Sequence, residues 1–282
     1  MSTRTEVETS YDVGNDFFRM WLDAGMNYTC GVWNGVATLE EAQQQKLQVL
    51  SDFARIAPGS RVLDIGCGWG GALDYVTRVR GATAHGITLS QAQYTEVVER
   101  HLSRTSVELV DYRDFEPTER FDAVLSICMM EHVATPEQAR RGEHVPLYRD
   151  FFRRVHSWTR PGAWFGLQTI LRDRVPRSRE DLRDLHWVTH TIFPGGISLR
   201  LEDVVCSVGP YWEIVTIRTR REDYARTTAE WLSRLIANES EIRARWGGDV
   251  FDGYHRYLRT CVRAFTKHYQ SLAQYALRRI DE

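Results

Sequence analysis

An acid followed by a run of glycines carries the most specific chemistry in this chain. Val62-Leu63-Asp64-Ile65-Gly66-Cys67-Gly68-Trp69-Gly70-Gly71 reads as a buried strand that enters a glycine turn and opens a helix. Glycines at such a turn permit tight curvature and close approach of the backbone to a ligand. The spacing Gly66-x-Gly68-x-x-Gly71 satisfies the dinucleotide fingerprint taken alone. Two features oppose a dinucleotide. Asp64 stands just before the first glycine, where a carboxylate repels a pyrophosphate but pairs with an ammonium. The acid expected about 20 residues on for a ribose is absent, and Thr88-Leu89-Ser90 stands there. A nucleoside that carries an amino acid and a sulfonium, S-adenosylmethionine, fits better.

A second acid, Glu131, follows the fourth expected strand, on the carboxyl edge where doubly wound sheets bind ligands. It is the candidate base, or the group that orients one; the plainer alternative is a helix cap or an arginine partner. His132 beside it points elsewhere on a helix and is assigned a structural role. Tyr11, Phe17, Phe18, Trp33 and Tyr224 offer aromatic faces for an apolar pocket that tolerates a cation. Phe17 and Phe18 serve equally well as core. Cys30 has no paired histidine and is read as a passive wall residue. His186 and His190 share a helical spacing, but neither an H-E-x-x-H acid nor a third ligand accompanies them, so no metal is expected.

Periodicity supplies the elements that position these groups. Thr38-Leu39-Glu40-Glu41 is a capping box opening an amphipathic helix from Leu39 to Ile56, closed by Ala57-Pro58-Gly59. Short β-branched runs then alternate with helix-length segments. Strands are expected at Arg61–Asp64, Thr83–Thr88, Val107–Val110, Phe121–Ile127 and Trp164–Ile170, with crossover helices at Ala72–Arg80 and Gln91–His101. That alternation argues an α/β fold with a parallel, doubly wound, Rossmann-like sheet. Beyond Arg172 come an Arg-rich helical stretch, a strand at Glu213–Arg218, helices from Asp223 to Tyr269 and a last strand at Leu272–Arg278. The expected organisation is one domain: a helical cap over 1–56, a cofactor core over 57–172, and cap helices with the last strands over 173–282.

The bulk properties exclude other classes. The 282 residues carry a net charge of −2, which gives no cationic field for nucleic acid. No segment approaches the roughly 18 consecutive apolar residues of a bilayer span. Five scattered cysteines without a C-x-x-C pair indicate neither a disulfide framework nor a zinc site, so a reduced cytoplasm is expected. The polar stretch Met1 to Ser10 does not read as a secretory signal.

Many ordered matches give the chain a resemblance to the cyclopropane-fatty-acid synthase and mycolic acid cyclopropane synthase family of S-adenosylmethionine-dependent methyltransferases. They begin at Tyr11-Asp12-Val13-Gly14-Asn15-Asp16-Phe17-Phe18 and Met26-Asn27-Tyr28-Thr29-Cys30. They run through the glycine motif, Gly86-Ile87-Thr88-Leu89-Ser90 with Gln93, and Asp111-Tyr112-Arg113. Glu131-His132-Val133 and Ile192-Phe193-Pro194-Gly195-Gly196 follow, then Tyr224, Trp231, Tyr254 and Tyr257-Leu258. The resemblance implies a class I methyltransferase fold and a cofactor held by Tyr28, Asp64, Gly66, Gly68, Thr88, Leu89 and Gln93, with Asp111 and Tyr112 by the adenine. It also implies methyl transfer to an alkene and ring closure assisted by a bicarbonate, in a pocket that maps to Cys30, Ile127, Glu131 and Tyr224.

Three departures qualify that expectation. Gln168-Thr169-Ile170 stands where the ring-forming enzymes have His-Thr-Ile, and a glutamine cannot carry a proton or a positive charge near neutral pH. Ser10 replaces a histidine before Tyr11, and the connection from Ala134 to Val145 is longer and is expected to reshape the substrate entrance. The N-terminal extension of the versions that act on membrane phospholipids is not seen. The favoured expectation is therefore a C-methyltransferase of bacterial secondary metabolism. It would act on an alkene or electron-rich carbon of a hydrophobic small molecule, without ring closure, with Gln168, Ile127 and Trp33 toward the substrate. The alternatives are a cyclopropane synthase on an unsaturated acyl chain and an N-methyltransferase. The run from Arg172 to Arg183 is read as a solvated face that could dock an acidic carrier of a tethered acyl chain, and a homo-oligomer remains open.

Overall fold

A computed structural model describes residues 13–281; Ser10 and Tyr11 lie outside the described residues. The sheet forms where the sequence places β-branched and apolar runs. Its strands are β1 (Arg61–Ile65), β2 (Thr83–Thr88), β3 (Thr105–Leu109), β4 (Phe121–Ile127), β5 (Thr159–Arg172), β6 (Trp212–Thr219) and β7 (Gln270–Arg279), in the order β3-β2-β1-β4-β5-β7-β6. The first five are parallel, as expected. The last strand corrects that pattern: β7 inserts between β5 and β6 and runs antiparallel to both. The strand direction follows from the connection, because β7 leaves a helix at the edge from which β6 has already departed.

Side-chain alternation splits the core into two layers. Val62, Ala84, Ala123 and Leu125 face α2 (Leu39–Phe53), α3 (Gly71–Arg78) and α4 (Gln91–Glu99). Leu63, Ile87, Val124, Phe165 and Leu167 face α6 (His144–Ser157) and α8 (Leu201–Val208), which the sequence reading had not placed. Tyr148, Phe151, Phe152 and Val155 recur at helical spacing on α6 and are all buried, so its signal was present. The long connection after Glu131 forms the short helix α5 (Pro136–Arg140), capped by Thr135 and with no buried residue. None of its residues lines the central cavity.

A third, aromatic cluster builds the cap. It joins α1 (Asn15–Arg19), the loop after it, α7 (Arg179–Thr191), α9 (Arg221–Ala237), α10 (Glu239–Trp246) and α11 (Gly248–Thr266). Phe17 and Phe18 are fully buried there and are core. The Arg-rich run is not wholly solvated: Asp181 is buried and receives Lys267 Nζ at 2.8 Å and Arg263 Nε at 2.9 Å, which ties α7 to the end of α11.

The helix α2 lies so close to β5 that a Cβ built on Gly166 would stand 2.5 Å from the Leu50 carbonyl oxygen. Backbone cannot yield as a side chain can. Gly166→Ala should therefore destabilise the protein by about 1–3 kcal/mol in urea denaturation; an unchanged midpoint would show that α2 is not held at this distance.

Candidate active site

The carboxyl ends of β1, β2 and β4 converge on one deep cavity, roofed by the cap. The glycine turn forms its floor. Gly66 has φ +79°, and a Cβ there would meet the Met129 side chain at 2.8 Å, so both dihedral and space demand glycine. Gly68 has nothing within 4 Å of its absent Cβ and opens onto the cavity. Above the turn, Thr88 Oγ1 donates to Gln93 Oε1 at 2.9 Å and accepts from the Ser90 N–H at 3.2 Å. Ser90 caps α4 by accepting from the Gln93 N–H. These bonds fix the Thr88-Leu89-Ser90 corner, and Thr88, Leu89 and Gln93 line the cavity with Tyr112.

Asp64 is 2% exposed, and its Oδ1 has no hydrogen-bond partner. Burial pushes its carboxyl up to about 7, opposed by the positive charge of Lys46. Such an acid is ionised about half the time near neutral pH. Lys46, which the sequence reading missed, is 1% exposed on α2 and lines the same cavity. Its Nζ donates to Thr29 Oγ1 at 3.0 Å and Asn27 Oδ1 at 3.2 Å. Burial lowers it to about 8, against the pull of Asp23 first and Asp64 among others. A signal existed: buried positions Leu39, Ala42, Gln43, Lys46, Leu47 and Leu50 form one helical stripe, in which Gln43 and Lys46 are the polar interruptions.

The acceptor side is built around Glu131, on the short turn Met130–His132 after β4. Its Oε1 accepts from the Ile170 N–H at 2.6 Å, while Oε2 is buried without a partner. Burial raises this acid also to about 7, partly offset by the Ile170 N–H. Ile127, Cys128, Tyr28, Tyr224, Phe193 and Phe265 line the cavity with it. Tyr224 stacks on Phe265 with ring centroids 4.3 Å apart, and Tyr28 lies among Phe18, Trp21, Phe193 and Trp231.

Four expected site residues do not line the cavity. Cys30 is fully buried and its thiol donates to the Gly31 carbonyl. Trp33 donates through Nε1 to Thr227 Oγ1 at 2.9 Å, with the Arg226 guanidinium over its ring, and is a packing residue of the cap. Asp111 turns its carboxylate to Arg113, and only its neighbour Tyr112 reaches the wall. Gln168 is fully buried behind Cys128: its Nε2 donates to the Cys128 sulfur at 3.5 Å and its Oε1 accepts from Gln274 Nε2 at 2.8 Å. Cys30, Gln168 and Glu131 nonetheless all interact with Cys128 of the cavity wall. Among the described residues no group of three candidate metal ligands occurs.

The fold and the cavity define a class I S-adenosylmethionine-dependent methyltransferase. The residues present fit that cofactor: an unpartnered buried acid for an ammonium, a glycine floor open to a nucleoside, and a fixed Thr–Gln corner. Comparison with known proteins narrows the class. The family model for mycolic acid cyclopropane synthetase matches residues 1–275. The cyclopropane-fatty-acyl-phospholipid synthase of Escherichia coli K12 is 32% identical over 90% of this chain, which spans 63% of that protein's length. Cyclopropane mycolic acid synthase 2 of Mycobacterium tuberculosis is 30% identical over 96% of this chain and 93% of its own. The solved structure of mycolic acid cyclopropane synthase CmaA1 complexed with SAH and CTAB is similar with a TM-score of 0.88, at 26% identity and 98% coverage of both chains. The chain belongs to the mycolic acid cyclopropane synthetase family.

An Asp64 that is mostly protonated at pH 6 must lose its proton when it takes an ammonium. Binding of S-adenosylhomocysteine at pH 6 should release close to one proton, read as a buffer-dependent enthalpy in calorimetry. Asp64→Asn should remove that release and weaken binding; an unchanged buffer dependence would detach Asp64 from the ligand.

Proposed function

We propose that the protein methylates an unsaturated carbon of a long apolar acyl chain and closes the added carbon into a cyclopropane ring. The sequence reading preferred a C-methyltransferase that stops before closure. The named relatives support the ring-forming alternative better, and Gln168, the residue that argued against closure, lies behind the wall rather than in it. One observation carries the proposal: Glu131 presents an unpartnered buried oxygen beside Tyr224 and Cys128, while its other oxygen is pinned to the Ile170 N–H.

When bound, S-adenosylmethionine supplies a methyl group already activated as a sulfonium. The chain's residues do the rest. The aromatic walls of Tyr28, Tyr224 and Phe193 exclude water and present π-faces to positive charge on the acceptor. Glu131, with its acidity near neutral pH, accepts at Oε2 the proton that leaves the added carbon. The electron pair of the broken C–H bond forms the second ring bond. The similar CmaA1 structure, with SAH and the hydrophobic CTAB, supports an acyl acceptor. A carrier-tethered acyl chain would meet Arg177, Arg179 and Arg183, exposed on and just before α7, the helix that also sends Val188 and Thr189 into the cavity wall. Among the described residues no helix is long and apolar enough to cross a membrane.

Trideuterated S-adenosylmethionine distinguishes the outcomes. With unsaturated acyl substrates, ring closure gives a product that keeps two deuterons; a product keeping three would replace this proposal with simple methyl transfer. Glu131→Gln should lower turnover by about 10²–10⁴-fold and leave S-adenosylhomocysteine affinity within about threefold. An active variant would remove Glu131 from the chemistry.

A further inference from the structure

The charges around the cavity are few. Among the described lining residues Lys46 is the single lysine or arginine, and Asp64 and Glu131 are the acids. Lys46 makes no ion pair, although it is almost wholly buried. An ammonium has three donors; two are used by Asn27 Oδ1 and Thr29 Oγ1, and one is unspent. Asp23, the acid that pulls hardest on Lys46, has both oxygens committed to Asn27 and Gly25 within its own loop. Asp64 Oδ1 is unspent too. The cavity therefore presents the Lys46 ammonium and the Asp64 carboxyl, each with an open valence and not bonded to each other.

Rigid surroundings hold the lysine in place. A Cβ on Gly71 would stand 2.7 Å from Asn27 Oδ1 and 2.9 Å from the Gly25 carbonyl, so the Asp23–Thr29 loop sits hard against the start of α3. Gln43 Nε2 donates to the Thr29 carbonyl at 2.8 Å, one turn of α2 before Lys46. The ammonium is thus aimed by two helices and a loop, and it cannot relax toward solvent.

We infer that Lys46, with the Thr29 hydroxyl beside it, is the receptor for the α-carboxylate of S-adenosylmethionine, while Asp64 takes the α-ammonium. The inference rests on the cofactor assignment and adds a residue to it. A zwitterionic amino-acid group offers a carboxylate to Lys46 and an ammonium to Asp64, and it satisfies both open valences at once. The same burial that makes each group costly alone makes its pairing with ligand selective.

The test separates recognition of the carboxylate from support of the loop. Calorimetry on the full chain would compare S-adenosylhomocysteine, its decarboxylated analogue, which keeps the ammonium, and 5′-methylthioadenosine. In the wild type, loss of the carboxylate should weaken binding about 10- to 100-fold, the range for a charge-assisted hydrogen bond. Lys46→Met should weaken S-adenosylhomocysteine by a similar factor and change the decarboxylated analogue and 5′-methylthioadenosine less than about threefold, and Lys46→Arg should recover part of the loss. Equal weakening of all three ligands would mean that Lys46 only supports the loop, and the inference falls. It falls also if wild-type protein binds the decarboxylated analogue as tightly as the parent, an arm that needs no folded variant. Wild-type protein that binds none of the three would instead overturn the cofactor assignment itself.

Discussion

The Asp64 carboxyl, buried at the end of β1 with an oxygen that has no hydrogen-bond partner among the described residues, is the constraint around which the glycine side of the cavity is arranged. An unpaired buried acid is destabilising, and the protein tolerates it by letting the group stay protonated and by placing Lys46 nearby. The surrounding architecture serves that arrangement. β1 lies between β2 and β4, so its carboxyl end is the middle of the sheet edge. The glycine turn then lets α3 start without a side chain in the way, and the Asp23–Thr29 loop closes over it.

Glu131 is treated differently. One oxygen accepts from a backbone N–H of β5, and the other is buried without a hydrogen-bond partner among the described residues. The backbone that brings it there is itself held: Cys128 has φ +57°, a conformation that non-glycine residues adopt rarely, and its N–H donates to the Gln168 carbonyl at 2.8 Å. Behind it runs a buried polar chain from Gln168 to Gln274, then to Arg220 at 3.1 Å and Asp223 at 3.3 Å. Gln168 thus meets Cys128 through Nε2 and Gln274 through Oε1. A histidine in that place would face Gln274, a partner that offers both an acceptor and a donor.

These two acids show what the sequence could disclose. Asp64, Gly66, Gly68, Thr88 and Gln93 were legible because local spacing fixes them: the turn, the cap of α4 and the strand ends are settled within a few residues. Glu131 was legible for the same reason, since it directly follows a strand. Gln168 was misplaced because its surroundings depend on the register of β7, from about a hundred residues further along the chain, and on that strand running antiparallel. Cys30 and Trp33 were misplaced because their partners, Arg220 and Thr227, belong to a cap helix whose docking no local pattern reveals. Lys46 lay within reach of pattern reading, as a polar break in an apolar stripe, but only its depth of burial makes that break a functional signal.

The cap completes a division of labour. Residues at the sheet edge come from strand ends and hold the groups that react; residues of the cap, Val188 and Thr189 of α7, Tyr224 of α9, and Tyr257 and Cys261 of α11, shape the apolar part of the cavity. α7 is clamped to α11 through Asp181 and Asp184, which meet Arg263, Lys267 and Arg256. Asp181, Asp184 and Val188 stand at i, i+3 and i+7, so the clamp and the wall residue Val188 share one face of α7. Chemistry is therefore set where backbone geometry is least free to change, and acceptor preference where single side chains alter pocket shape by one or two methylenes. Each such change is worth only about 1–3 kcal/mol of discrimination.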